Sequence, residues 1–493
     1  MPSDPYPPAG GGRLPRPGSL RPASALLLTA AAAAIRFYHL DAQSLWNDEL
    51  FSLQVSKLGF AEIQTALVAH YHHPPLFFYL LHFVLAVSGE SAWSLRLISA
   101  LAGSATVGLV FHYASKMFGL RAGVAAAAVC LVAPFHIAYS QEGRPYALAA
   151  LLALASCCLL FELLKGSRRR FMVLYVIVSA ALLYTHHWGI FVLGAQAAYL
   201  LLSNDITRGI KKSILTALAV VAALYLPELP ALVRQSGASD SLGWFWVERP
   251  GWREWIWITG AYSGTYFEMA SALFDSHPAV KILGSAAVVL IAAQAVAHAF
   301  GRDRTPALRW VLACCTGTLL VPFAVSFVKP EVFLWYRYTV IVFPLFCVMV
   351  GAVMAHTNWS RRTLPAVAIL IVVGLGSTVR YFSWSKSNVR DVVNCVDSLT
   401  SSGVRTIIRP RSFAPLLNYY TKAPAAQLDE AYLDTPLGQI VDTASAFIYV
   451  SLDVPNGIRD YMDGHFLKAF ERRYPGEAHM GMIVGVYRQR LDE

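Results

Sequence analysis

Eleven apolar runs, most of them near the length of a membrane-spanning helix, leave this chain little choice of fold. They fall near 24–39, 92–115, 122–139, 145–164, 171–186, 187–203, 213–231, 276–300, 308–328, 337–357 and 363–382. A helix needs about 20 apolar residues to cross the hydrocarbon core of a bilayer. Inside that core every backbone N–H and C=O must be satisfied within the protein, which favours helices. The chain is 56% hydrophobic and 14% charged, whereas soluble domains carry about a quarter charged residues. The fold class expected is therefore a polytopic α-helical membrane protein, embedded in the lipid bilayer.

The basic residues set its orientation. The net charge is +10, but its sources are short clusters between apolar runs, a topology signal and not a nucleic-acid stripe. No nucleic-acid partner is implied. The clusters are Arg13, Arg16 and Arg21; Lys116 and Arg121; Lys165 with Arg168, Arg169 and Arg170; Arg208 with Lys211 and Lys212; Arg302, Arg304 and Arg309; and Arg361 with Arg362. All of them share one side if eleven helices span. The amino terminus is then cytoplasmic and the carboxyl terminus extracytoplasmic. Pro74 to Ser88 is apolar but too short to span, and counting it would put the later clusters outside. It reads as a juxtamembrane helix inside a long external loop, 40–91.

The flanks differ. Residues 1–22 are rich in Pro, Gly and Arg and read as a disordered cytoplasmic tail. Residues 23–382 form the transmembrane domain. Residues 383–493 are charged and mixed, and read as a small extracytoplasmic α/β domain. Its expected strands are 404–408, 446–451 and 480–487, and its expected helices 391–399 and 457–470. The seven cysteines show no disulfide framework and no metal-type spacing.

On this topology the unusual residues collect on the external side. Asp48 and Glu49 follow the first run, and two adjacent carboxylates there belong in water or in a cleft that uses them. A solvated acidic loop or a favourable helix start is the plain alternative. His72 and His73 precede Pro74 and Pro75, which suit the first turn of a helix. Three roles stand open for these rings: metal ligands together with His186 and His187, hydrogen-bond donors to a substrate, or groups facing interface water. Arg144, in the turn Ser140 to Tyr146, either snorkels to headgroups or aims its planar fork at a phosphate. Glu142 orients that fork or a substrate hydroxyl. Lys329, Arg337 and Arg96 sit at external span edges. They suit either a basic and aromatic membrane belt or a lipid-linked anion entering sideways. The segment 232–275 is rich in tryptophan, with Trp244, Trp246, Trp252, Trp255 and Trp257.

Four segments together resemble the GT-C glycosyltransferases, in particular the polyprenyl-phosphate-sugar-dependent group related to protein O-mannosyltransferases and lipid A aminoarabinose transferases. They are WNDELFS at 46–52, HHPPLFFYLL at 72–81, YSQEGRPYAL at 139–148 and WYRYTVIVFP at 335–344. The resemblance covers nearly all of 24–382, in order. The resemblance implies a bacterial plasma-membrane enzyme with a sugar donor carried on a polyprenyl phosphate. It implies that the first acid of the external pair, Asp48, is the general base, with Glu49 beside it. It also implies that basic residues and tyrosines of the later loops meet the donor phosphate, which here are Arg144, Arg337, Lys329, Tyr336, Tyr338 and Arg96. His72, His73, Glu142 and His187 are left to orient substrate.

The expected reaction is inverting glycosyl transfer to an acceptor hydroxyl, with no obligatory metal or cofactor. The acceptor is a lipid, a glycan or a protein. The large middle luminal domain of the eukaryotic mannosyltransferases is absent from the sequence. The rival class is a transporter or flippase of lipid-linked glycans. Such a protein is expected to place ionisable groups at mid-membrane and to show paired repeats. The apolar runs here have few charges and no repeat.

Overall fold

The computed structural model describes residues 20–70, 73–166, 169–237, 249–269, 272–301, 305–357, 363–383, 389–400, 405–409, 414–421, 428–430, 446–452, 466–474 and 482–489. Most of the expected amino-terminal tail lies outside these residues, as do His72 and the Gly243 to Trp246 stretch. Two compact units emerge. The first comprises Met1–Tyr38, Ser52–Phe267 and Asp275–Tyr381, and the second His39–Phe51, Glu268–Phe274 and Phe382–Glu493.

Helices stand on each of the eleven apolar runs. The chain opens with α1 (Leu20–Phe37), α2 (Asn47–Ser56), α3 (Phe60–His70), α4 (Leu76–Ser88) and α5 (Ala92–Phe118). Next come α6 (Leu120–Leu131), α7 (Pro134–Ser140), α8 (Tyr146–Leu164), α9 (Arg169–Thr185) and α10 (Gly189–Leu202). The chain up to residue 382 then holds α11 (Arg208–Tyr225), α12 (Leu229–Gly237), α13 (Trp252–Ser263), α14 (Pro278–Phe300), α15 (Pro306–Val325), α16 (Trp335–Tyr338), α17 (Phe343–His356) and α18 (Thr363–Phe382). Among the described residues six helices are long and apolar enough to cross a membrane, or eight if each of two bent pairs is one span. The chain is a multi-pass membrane protein. The bends are 64° at α6–α7 and 50° between 330–341 and α17, and proline opens α7 just past the first of them. The α4 helix has 13 residues, about 20 Å at the usual rise and short of a bilayer core.

Burial separates inner from outer helices. The apolar windows of α5 and α8 are 72% buried, whereas those of α14 and α18 are 28% and 39%. An exposed apolar face of that extent belongs against lipid. The inner helices approach closely. A Cβ on Gly351 of α17 would lie 2.4 Å from the Ala122 carbonyl oxygen of α6, so only glycine permits this crossing. Fully buried Arg36 ties α1 to α6 and α7: Nη2 donates to the Cys130 carbonyl at 3.2 Å and to His136 Nδ1 at 2.9 Å. Gln141 Nε2 holds the carboxyl end of α1, donating to the Arg36 carbonyl at 3.0 Å and to the Tyr38 carbonyl just past the helix at 2.7 Å. The aromatic segment before residue 275 is partly helical: Trp255 of α13 packs on Phe323, and Trp257 on Trp335. Two short strands follow it, β1 (Tyr266–Met269) and β2 (Ala272–Asp275), which pair with each other.

The second unit holds α19 (Val389–Thr400), β3 (Arg405–Arg409), α20 (Ala414–Tyr420), β4 (Leu428–Glu430), β5 (Ala446–Leu452), β6 (Phe466–Tyr474) and β7 (Met482–Gln489). Its sheet has the order β4-β3-β5-β7-β6. β3 runs parallel to β4 and β5, and β7 antiparallel to β5 and β6. Ile448 and Val450 are buried two apart, as one face of a strand requires. α19 buries Val389, Val392, Val393 and Val396, a single helical stripe. One expectation is corrected. Of the expected helix 457–470, residues 457–465 lie outside the described residues, and Phe466 to Phe470 belong to β6. An irregularity between Lys468 and Phe470 breaks the two-residue alternation, and Phe466, Leu467 and Phe470 then mimic a helical spacing. The segment 39–51, expected as part of the transmembrane domain's loop, groups with this second unit.

Candidate active site

In the first unit, two proline-started helices bring the central side chains together. Pro75 caps α4 and Pro145 caps α8, so His73 and Arg144 each sit just before a rigid helix start. The Arg144 turn is fixed from α5. Ser99 Oγ donates to the Arg144 carbonyl at 3.0 Å. Gly143 lies so close to Leu95 that a Cβ would meet its side chain at 2.5 Å.

The Arg144 side chain is buried. Its Nη1 donates to Ser52 Oγ at 3.1 Å, and its Nη2 donates to His73 Nε2 at 2.6 Å. The guanidinium carries only donors, so His73 Nε2 accepts and a neutral ring holds its proton on Nδ1. The fork also lies 5.9 Å from the centre of the Tyr146 ring.

Three rings gather around this pair: His186, Tyr146 and Tyr338. His186, in the turn between α9 and α10, lies 5.6 Å from His73, 5.7 Å from Tyr146 and 4.9 Å from Tyr338, centre to centre. The Trp188 backbone N–H donates to His186 Nδ1 at 3.1 Å. In the neutral ring the proton then sits on Nε2. Burial pushes His186 down to about 3, with His187 and Arg144 adding to the effect. The ring is therefore neutral at physiological pH. His186 Nε2 and the Tyr146 hydroxyl are buried and have no hydrogen-bond partner among the described residues. Two buried donors without acceptors, beside a buried guanidinium, suit an anionic ligand.

A cavity of ≈ 180 Å³ adjoins the cluster, lined by His186, His187, Trp188, Lys329, Glu331 and Tyr338 among others. Its wall is braced by Trp188 Nε1, which donates to the Val332 carbonyl at 2.8 Å, and by His187 Nδ1, 2.9 Å from the Tyr225 hydroxyl. Lys329 faces Glu331 at 3.9 Å. The Tyr139 hydroxyl donates to the Tyr336 carbonyl at 2.5 Å, and Arg337 lies 5.5 Å from the centre of the Tyr336 ring.

The structure thus brings His73, Arg144 and Tyr338 into one cluster, and His187 and Lys329 to the adjoining cavity. Arg96 and Glu142 are buried, and neither lines that cavity. Nothing in the sequence singles out Ser52 or Tyr146, and His186 enters there only as a candidate metal ligand beside His187. Among the described residues no three His, Cys, Asp or Glu side chains are grouped to hold a metal ion.

Asp48 and Glu49 belong to the second unit and form the first turn of α2. The Leu50 N–H donates to the Trp46 carbonyl at 2.9 Å and so opens the helix. Glu49 is fully buried, and Asp48 is half-buried.

Comparison with known proteins gives the class. Residues 72–230 match the family described as dolichyl-phosphate-mannose-protein mannosyltransferase. The structure aligns with the Archaeoglobus fulgidus oligosaccharyltransferase tethered to an acceptor peptide, at TM-score 0.50 and 14% identity, over 80% of this chain and 63% of that one. It also aligns with ArnT from Cupriavidus metallidurans in the apo state, at TM-score 0.46 and 14% identity, over 95% of this chain and 98% of that one. No curated protein matches the sequence. The chain has a GT-C-type membrane fold, and the resemblance carried by its motifs holds.

Proposed function

We propose that the protein is an inverting membrane glycosyltransferase that moves a sugar from a polyprenyl phosphate to an acceptor hydroxyl on the extracytoplasmic face. The observation that carries this reading is the pair of unpartnered buried donors, Tyr146 Oη and His186 Nε2, beside the Arg144 fork. A donor phosphate has the oxygens they lack. The family match supports a polyprenyl-phosphate-linked hexose as the donor.

In the reaction the acceptor oxygen attacks the anomeric carbon as the bond from that carbon to the phosphate oxygen breaks. The proton of the acceptor hydroxyl passes to Asp48, the general base. Of the two acids, Asp48 is the one partly open, while Glu49 is enclosed and suits an orienting role. The transition state resembles an oxocarbenium ion. The leaving polyprenyl phosphate gains negative charge, which Arg144, Arg337 and Lys329 stabilise in advance, with Tyr336, Tyr338 and Arg96 behind them. His72, His73, Glu142 and His187 orient the substrates. The acceptor is a lipid, glycan or protein hydroxyl, and no metal is obligatory. Eleven helices span a bacterial plasma membrane in this reading, with the amino terminus cytoplasmic and residues 383–493 outside.

The test is transfer from a polyprenyl-phosphate sugar in proteoliposomes. Sugar appearing on an acceptor, with release of polyprenyl phosphate, is the expected result. Movement of the intact lipid-linked sugar across the bilayer without cleavage would make the protein a flippase instead. Loss of transfer on chelation, restored by one divalent ion, would overturn metal independence.

A further inference from the structure

The approach to α2 has no regular structure of its own. Residues 38–42 form turns and 44–46 are irregular, and His39 holds a positive φ of 52°. Backbone groups in such a segment need partners from elsewhere. Two residues of the carboxyl-terminal part of the chain supply them. The Arg390 guanidinium donates to the Asp41 carbonyl at 3.1 Å and to the Ala42 carbonyl at 3.4 Å, and the Arg390 backbone N–H donates to Ser44 Oγ at 3.3 Å. The Leu45 N–H donates to the Tyr420 hydroxyl at 2.7 Å.

This clamp is built on packed helices. Arg390 is the second residue of α19, whose valine stripe is buried. Tyr420 ends α20, which buries Leu416 and Leu417. Thr421 Oγ1, next to Tyr420, donates to Asp397 Oδ1 of α19 at 2.5 Å and ties the two helices. The Arg390 guanidinium also lies 5.6 Å from the centre of the Tyr420 ring, so each half of the clamp steadies the other. These four hydrogen bonds from Arg390 and Tyr420 reach residues 41, 42, 44 and 45, and Asp48 follows Leu45 by one turn's worth of chain.

We infer that Arg390 and Tyr420 are positioning residues, which fix the segment 41–45 and thereby set the pose of the Asp48 carboxylate for proton transfer. The inference rests on the reading of Asp48 as the base. Neither residue needs to touch substrate. A carboxylate displaced by about 1 Å loses up to about a hundredfold in rate while substrate binding survives.

The experiment uses the full chain, purified in one detergent, with a polyprenyl-phosphate sugar as donor. Tyr420→Phe removes one oxygen and Arg390→Ala removes the fork. Each is expected to lower kcat by about ten- to a hundredfold, with donor KM and melting temperature near wild type. Arg390→Lys, which reaches one carbonyl, is expected to recover part of the loss. On the residual turnover of Asp48→Asn the same changes are expected to cost nothing more, because they act through a group already removed. Wild-type kcat in Tyr420→Phe and Arg390→Ala, with Asp48→Asn inactive, overturns the clamp and leaves the base standing. An equal loss on both backgrounds, or a loss that follows a lowered melting temperature, assigns the pair to folding alone and also overturns it. If Asp48→Asn keeps full turnover, the base assignment fails first, and the inference fails with it.

Discussion

Arg144 Nη2 donates to His73 Nε2 across 2.6 Å, and this one bond links the start of α4 to the start of α8. It fixes the His73 tautomer, and it holds the guanidinium plane where its other nitrogen meets Ser52 Oγ at 3.1 Å. A planar guanidinium fixed in this way presents charge-assisted donors in the geometry that suits an oxyanion.

Arg144→Ala is therefore expected to raise donor KM and to lower kcat, by about a hundred- to a thousandfold in kcat/KM. The phosphate charge is present before reaction and grows during it, so both parameters move. Arg144→Lys is expected to recover little, because a point charge cannot hold Ser52 and His73 at once. Steady-state kinetics against donor concentration decide the matter. A lysine variant with wild-type kcat/KM would remove the fork from the site.

His186 makes the stability pH-dependent. Its proton is taken up near 6.5 in the unfolded chain and only near 3 in the folded one. Between those values the unfolded state binds more protons, so stability falls as pH falls through that window. His186→Gln, which keeps an acceptor for the Trp188 N–H, is expected to lose less melting temperature between pH 7 and pH 5 than wild type does. Parallel pH slopes for the two proteins would show that another group carries the acid lability.

Orientation is open to direct labelling. Single cysteines at 165–170 and 301–309 are expected to react only after the membrane is permeabilised, and cysteines in 383–493 without it. The basis is the alternation of Lys and Arg between apolar runs. A protected residue 400 in intact cells would invert the topology and with it the side on which Asp48 works.

The helices were legible because a membrane span announces itself by length and hydropathy, without regard to its partners. The site was legible only as fragments. Arg144 and His73 stand 71 residues apart, and nothing in a single sequence pairs them. His186 enters the sequence only beside His187, as one of several candidate metal ligands, and the contact of its Nδ1 with the Trp188 backbone N–H appears only in the fold. The sequence of β6 reads as a helix because a local irregularity shifts its alternation. Arg390 carries no signal in the sequence, since a partner 349 residues away supplies its meaning.

Asp48→Asn is the decisive substitution. Asparagine keeps the shape and hydrogen bonding of the side chain at the first turn of α2, but it cannot take the acceptor's proton. Removal of a general base costs about two to four orders of magnitude in rate. Turnover is expected to fall by that amount while donor affinity and melting behaviour stay at wild type, because Asp48 meets the acceptor and not the phosphate. Glu49→Gln is expected to cost less in turnover, since an enclosed acid orients its neighbour without itself receiving the proton. It is expected to cost more in stability, because Glu49 is fully buried and Asp48 is not. The two variants thus separate on two axes, one read by single-turnover transfer and the other by thermal melting in the same detergent. Near wild-type turnover in Asp48→Asn, or a greater loss in Glu49→Gln, would move the base off Asp48.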